Sequence, residues 1–238
     1  IENADLTGGA GANALDASAF TLGSVTLNGG AGADTLTGSA SADSLDGGED
    51  TDKVLQTSDE ATQSLSDSAL VAGAVTDTLA NIESAELTGG AGANAIDAGA
   101  FTGTVTISGG GGADALTGGS GNDSLSGGLG NDTLNGGLGD DSIDGGGDDL
   151  GTDSVVGGEG EAADTAHTDR VVQSVDANQV LTDVQLTGSG IDVISDIEEA
   201  SLTGGDGANT IDASAFTLGA VTIDGGAGDD TLTGSAAA

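Results

Sequence analysis

Between residues 109 and 144, single apolar residues (Leu116, Leu125, Leu134 and Ile143) recur every nine positions, each between small or polar neighbours. The stretch reads GGGGADALT, GGSGNDSLS, GGLGNDTLN and GGLGDDSID, four copies of one unit. An apolar side chain with polar ones on either side is the alternation of a short strand with one buried face. The glycines at the start of each unit predict a tight turn, since glycine enters positive φ at little steric cost. Turn and strand thus alternate with a nine-residue period. Nothing elsewhere sustains a helical period, and 46 Gly disfavour helix.

The rest of the chain aligns to this block or interrupts it. A longer repeat starts at Ile1, Ile82 and Ile197, and its first copy reads IENADLTGGAGANALDASAFTLGSVTLNGGAGADTLTGS. In each copy Asn13, Asn94 or Asn209 replaces the unit's Asp, and all three Phe (Phe20, Phe101, Phe216) fall at one equivalent place. A Phe recurring at fixed register predicts a core plug where a solenoid widens. Three nonapeptides follow the first copy, with Asp34, Asp43 and Asp52 at position six. The middle one, GSASADSLD, is degraded and predicts a looser turn. Two units after the four-unit block carry insertions ahead of Asp153 and Asp169.

The connecting stretches 56–81 and 157–196 also match each other. LSDSALVAGAVTDTLANIE parallels LTDVQLTGSGIDVISDIEE, and both are read as strand. Lys53 and Arg170 hold equivalent positions and predict local ion pairs with neighbouring carboxylates. Units of this kind bury their faces only against neighbours, which predicts one elongated all-β solenoid over residues 1–238. Roughly thirteen coils at ~4.8 Å each would make a rod about 60 Å long.

Composition makes that solenoid hard to fold unaided. There are 40 acidic residues against one Lys and one Arg, a formal charge of −38, and no Trp, Tyr or Met. Such a chain repels itself and has little to bury, so it is either disordered or ordered by a bound cation. The regular spacing of Asp favours the cation. The same charge disfavours nucleic acid and anionic lipid as partners, since both would be repelled, and no apolar run approaches the ~20 residues that span a membrane. There is no Cys and no signal peptide. The chain opens inside one repeat and stops inside another, as a segment of a longer protein would.

The candidate ligands are the position-six carboxylates: Asp34, Asp43, Asp52, Asp114, Asp123, Asp132, Asp141, Asp153 and Asp230. Each stands at the exit of a turn whose glycines allow carbonyl oxygens to crowd inward. Oxygen donors without Cys select a hard cation, and calcium accepts six to eight oxygens in flexible geometry where magnesium demands an octahedron. The neutral oxygen of Asn predicts weaker or absent binding at Asn13, Asn94 and Asn209, with those turns closed by side-chain hydrogen bonds instead.

The unit G-G-x-G-x-D-x-U-x resembles the calcium-binding nonapeptide of the RTX (repeats-in-toxin) family. The resemblance implies a parallel β-roll in which two nonapeptides make one coil and each calcium ion lies between turns 18 residues apart. Carried onto this sequence, Asp114 shares an ion with Asp132 on one edge and Asp123 with Asp141 on the other. Asp34 and Asp52 pair likewise, Asp43 stands in a weaker turn, and Asp153 in a distorted one. The resemblance also implies a bacterial protein exported unfolded by a type I system and folded outside by calcium.

Function then reads as a calcium-dependent structural segment of a secreted or cell-surface protein: an adhesin, surface layer or matrix fibre. An alternative is the calcium-binding tail of a secreted protease or lipase. The chain itself holds no H-E-x-x-H and no G-x-S-x-G, and its single His, His167, sits in an inserted loop, so it is read as a non-enzyme. A third alternative is self-association into a filament or lattice through uncapped solenoid ends.

Overall fold

The computed structural model describes residues 2–146, 151–158, 168–188 and 190–236, and its regular structure is all strand. The strands form one sheet of fifteen and one of ten. The nine-residue period explains how. Ala115–Thr117 and Thr133–Gly137 are parallel neighbours in the long sheet, while Ser124–Leu129 and Ser142–Asp144 are parallel neighbours in the short one. Successive units therefore alternate between sheets, and units 18 residues apart stack. Leu116 lies beside Leu134 and Leu125 beside Ile143. All four are buried, in a core one apolar residue thick that runs between the sheets. This is the parallel β-roll.

The connecting stretches are strands, but they do not continue the roll. Thr62–Ser66, Ala69–Ala72 and Val75–Ala80 form a three-stranded antiparallel meander inside the long sheet. Gln179–Thr182, Gln185–Thr187 and Ile191–Ser195 form its counterpart. The reason is local: Asp67-Ser68, Gly73-Ala74 and Asp183-Val184 are two-residue links, which join antiparallel strands but cannot reach across a roll to a parallel one. Each meander therefore widens the long sheet within one coil instead of adding coils.

Phe101 and Phe216 are completely buried core plugs, whereas Phe20 is only partly buried. Lys53 pairs with Glu86 (3.1 Å) and Arg170 with Glu199, each on the next strand of the short sheet and exposed. His167 and most of the two inserted loops lie outside the described residues.

Candidate metal-binding turns

The turns joining the two sheets form a row along each edge of the roll. Within a row the position-six residues are tied by one repeated hydrogen bond. The backbone N–H of Asp114 donates to Asp132 Oδ1 (2.8 Å), and that of Asp132 to Asp153 Oδ1 (2.8 Å). On the opposite edge Asp123 donates to Asp141 Oδ1 (2.8 Å) and Asp141 to Asp169 Oδ1 (2.9 Å). Asp34 and Asp52 repeat the contact at 2.7 Å. Residues 18 apart are thus brought together and residues nine apart are separated. Asp153 and Asp169 keep their places despite the insertions ahead of them.

The other carboxylate oxygen divides the turns into two kinds. In turns 8–13, 38–43, 89–94, 118–123 and 204–209 the position-six side chain folds back on its own turn. It accepts the N–H of position two: Gly9 to Asn13 (2.6 Å), Ser39 to Asp43 (2.5 Å), Gly90 to Asn94 (2.9 Å), Gly119 to Asp123 (2.6 Å) and Gly205 to Asn209 (2.9 Å). These turns are closed. The Asn turns close as their amide chemistry predicts, but Asp43 and Asp123 close too.

Six further turns are open. In turn 109–114, Gly110 and Gly112 have φ of 99° and 113°, and positions two and four of turns 29–34, 47–52, 127–132, 136–141 and 225–230 are left-handed as well. Oδ2 of Asp34, Asp52 and Asp114 is buried and meets no hydrogen-bond donor. Each faces glycine backbone: a methyl group on Gly109 would collide with Asp114 Oδ2 and lie against the carbonyl oxygen of Gly127, and one on Gly29 would meet Asp34 Oδ2 and Gly47 O.

What decides the kind of turn is its neighbour. Every open turn stacks on another glycine turn one coil earlier and hydrogen-bonds to it: Ala31 N–H to Gly9 O, Gly111 to Gly90, Leu138 to Gly119 and Ala227 to Gly205 (2.9–3.0 Å). Among the described residues the closed turns have no glycine turn behind them. Asp43 and Asp123 follow the Phe20 and Phe101 turns, where their Oδ1 accepts the N–H of Val25 and Val105. Asn94 and Asn209 follow the loops that enter the meanders.

Sequence reasoning missed the residues that end each row. Asp43 N–H donates to Asp77 (2.8 Å), Asp153 to Asp192 (3.2 Å), Asp52 to Glu83 (2.9 Å) and Asp169 to Glu198 (3.0 Å). The available signal was their fixed placement around Ile82 and Ile197 in the long repeat. Burial, with a smaller contribution from the Asp43 charge and against the Asp43 hydrogen bond, pushes Asp77 up to about 6. Burial likewise raises Asp52, Asp114 and Asp123.

A buried carboxylate oxygen with no donor costs several kcal/mol, roughly, unless a cation meets it. Among the described residues no three His, Cys, Asp or Glu side chains converge as a metal centre. The donors available are one or two carboxylates with glycine carbonyls, a set that fits a hard, flexible-coordination ion such as calcium.

The family model for the RTX calcium-binding nonapeptide repeat, in four copies, matches residues 26–54, 117–149, 126–161, 201–216 and 217–238. The chain belongs to the RTX calcium-binding repeat family. No curated protein matches it significantly. RTX repeats bind calcium and occur typically in proteins secreted by bacteria. The repeat is a structural calcium-binding unit and not a catalytic one.

Proposed function

We propose that this chain is a calcium-ordered structural segment of a secreted bacterial protein, of the adhesin, surface-layer or matrix type. The observation that carries it is the buried, donor-free Oδ2 of Asp34, Asp52 and Asp114, each beside a backbone carbonyl of the next coil: Gly47, Asn81 and Gly127. Ions would lie between successive turns of a row: Asp34 with Asp52, Asp114 with Asp132 and Asp153, and Asp141 with Asp169. Asp230 would contribute from the last open turn. Asp43 and Asp123 have committed one oxygen to their own turns and hold an ion less tightly, so the Asp123–Asp141 pair is weaker than Asp114–Asp132.

The charge of −38 couples ordering to binding. Extracellular calcium modules bind at roughly 10⁻⁴–10⁻³ M, so the chain stays extended in the cytosol and folds outside. Calorimetric titration of the calcium-free chain tests the assignment. Asp114→Asn is expected to weaken calcium binding at least about tenfold, roughly 1.4 kcal/mol, while Asp123→Asn stays near the parent. Equal losses would overturn the division into open and closed turns, and a full β circular-dichroism signal at neutral pH without calcium would overturn the folding switch.

A further inference from the structure

The three copies of the long repeat are not equally covered. Leu87, Ile96 and Phe101 in the second copy, and Leu202, Ile211 and Phe216 in the third, are at most 1% exposed. Their equivalents Leu6, Leu15 and Phe20 are only partly buried. The cover in the later copies is always the same. A strand of the short sheet (Lys53–Thr57 or Arg170–Ser174) lies along one side, and the first meander strand (Thr62–Ser66 or Gln179–Thr182) pairs in parallel along the other.

Two carboxylates lock that cover in place. Asp67 accepts both the N–H (2.8 Å) and the hydroxyl (3.1 Å) of Thr102, just after Phe101, and Asp183 does the same for Thr217 after Phe216. Asp176 accepts the N–H of Gly207 and the amide of Asn209 (both 3.1 Å), and Asp59 lies against Gly90 in the equivalent turn. In the first copy Thr21 and the Gly9 turn carry the same chemistry; Asp34 accepts the N–H of Asn13 (2.7 Å), as Asp114 does that of Asn94, but among the described residues no carboxylate takes the places of Asp59 and Asp67. Behind Gly9 there is only its own Asn13. The edge of Ala14–Asp16 that faces away from Thr35–Thr37 has no strand beside it.

We infer that the face formed by Leu6, Leu15 and Phe20 is a docking surface for an acidic strand-plus-meander of the design seen at residues 53–81. The occupant adds a parallel strand to Ala14–Asp16 and delivers two Asp, spaced as Asp59 and Asp67 are, to the Gly9 turn and to Thr21. Recognition combines main-chain pairing with apolar cover and charge-assisted hydrogen bonds. Among the described residues the last strands, Val221–Asp224 and Thr231–Thr233, carry no counterpart of Asp59 and Asp67. The inference rests on internal repetition and not on which turns hold calcium.

The test is amide hydrogen exchange on the intact chain at saturating calcium, with a synthetic peptide of residues 53–81 added in excess, and again with that segment fused ahead of Ile1. Exchange at Ala14–Asp16 and Thr21 is expected to slow at least tenfold in the fusion and to slow measurably with the peptide. Asp59→Asn with Asp67→Asn in the added segment should remove most of the protection, while the chain's own coils stay protected. Unchanged exchange in both arms, or protection that survives the two Asn replacements, would overturn the proposal. So would head-to-tail dimers of the chain alone, seen by sedimentation with the same amides already protected.

Discussion

At the scale of single residues, identity matters less than the conformation the neighbouring coil imposes. Gly92 and Gly112 hold the same position of the same unit. Gly112 sits at φ of 113°, and a methyl group there would meet Gly92 C and Ala93 N at 2.6 Å, whereas one on Gly92 meets nothing within 4 Å. Gly112→Ala is therefore expected to cost about 1–3 kcal/mol and Gly92→Ala less than about 0.5, read from urea unfolding in calcium. Asp77 supplies the pH dependence. Its folded value, about 6, lies above the ordinary 3.8, so the folded state holds the proton more tightly. The stability this contributes is complete below pH ~4 and is lost as pH rises through ~6, about 3 kcal/mol in all. The calcium-free chain should accordingly gain β circular-dichroism signal on acidification from pH 7 to 4, and Asp77→Asn should flatten that response. A larger gain in the variant would contradict the assignment.

At the scale of elements, the strands of the regular block were legible because Leu116, Leu125, Leu134 and Ile143 state their own period. The meanders were legible only as strand. Their antiparallel order comes from the links Asp67-Ser68 and Gly73-Ala74, which are too short for a crossover. The meanders also explain why one Phe matters more than another. Phe101, sealed behind the Asp67–Thr102 clamp, should cost about 3–5 kcal/mol when cut to Ala. Phe20, partly exposed on the first coil, should cost well under half of that, about 1–2 kcal/mol. Thermal unfolding of the two variants in calcium compares them directly. The pair Lys53–Glu86 is exposed on the sheet surface, and its loss should change stability by less than about 1 kcal/mol.

At the scale of the molecule, the roll is two sheets around a core one apolar residue thick, carrying a charge of −38. Its edges concentrate that charge: Asp34, Asp52, Asp114, Asp123, Asp132 and Asp141 are each at most 3% exposed. Chelation at neutral pH is expected to unfold the roll cooperatively across both edges, with no intermediate that keeps one sheet, because each coil contributes to both. Loss of near-complete β signal in one transition on titration with a chelator checks this; two separated transitions would contradict it.

The sequence by itself determined the period, the inward residue of each unit, the carboxylate at position six and the equivalence of the three long repeats. These are local facts, set by glycine stereochemistry and by side-chain alternation within nine residues. Only the tertiary structure decided which turns are open. Asp114 and Asp123 stand in adjacent and nearly identical units, yet one stacks on a glycine turn and the other on the Phe101 turn. The partner that flips the peptide, or leaves it to close on its own carboxylate, lies a full coil away. Stacking across that distance is a property of the coil, and no nine-residue window contains it.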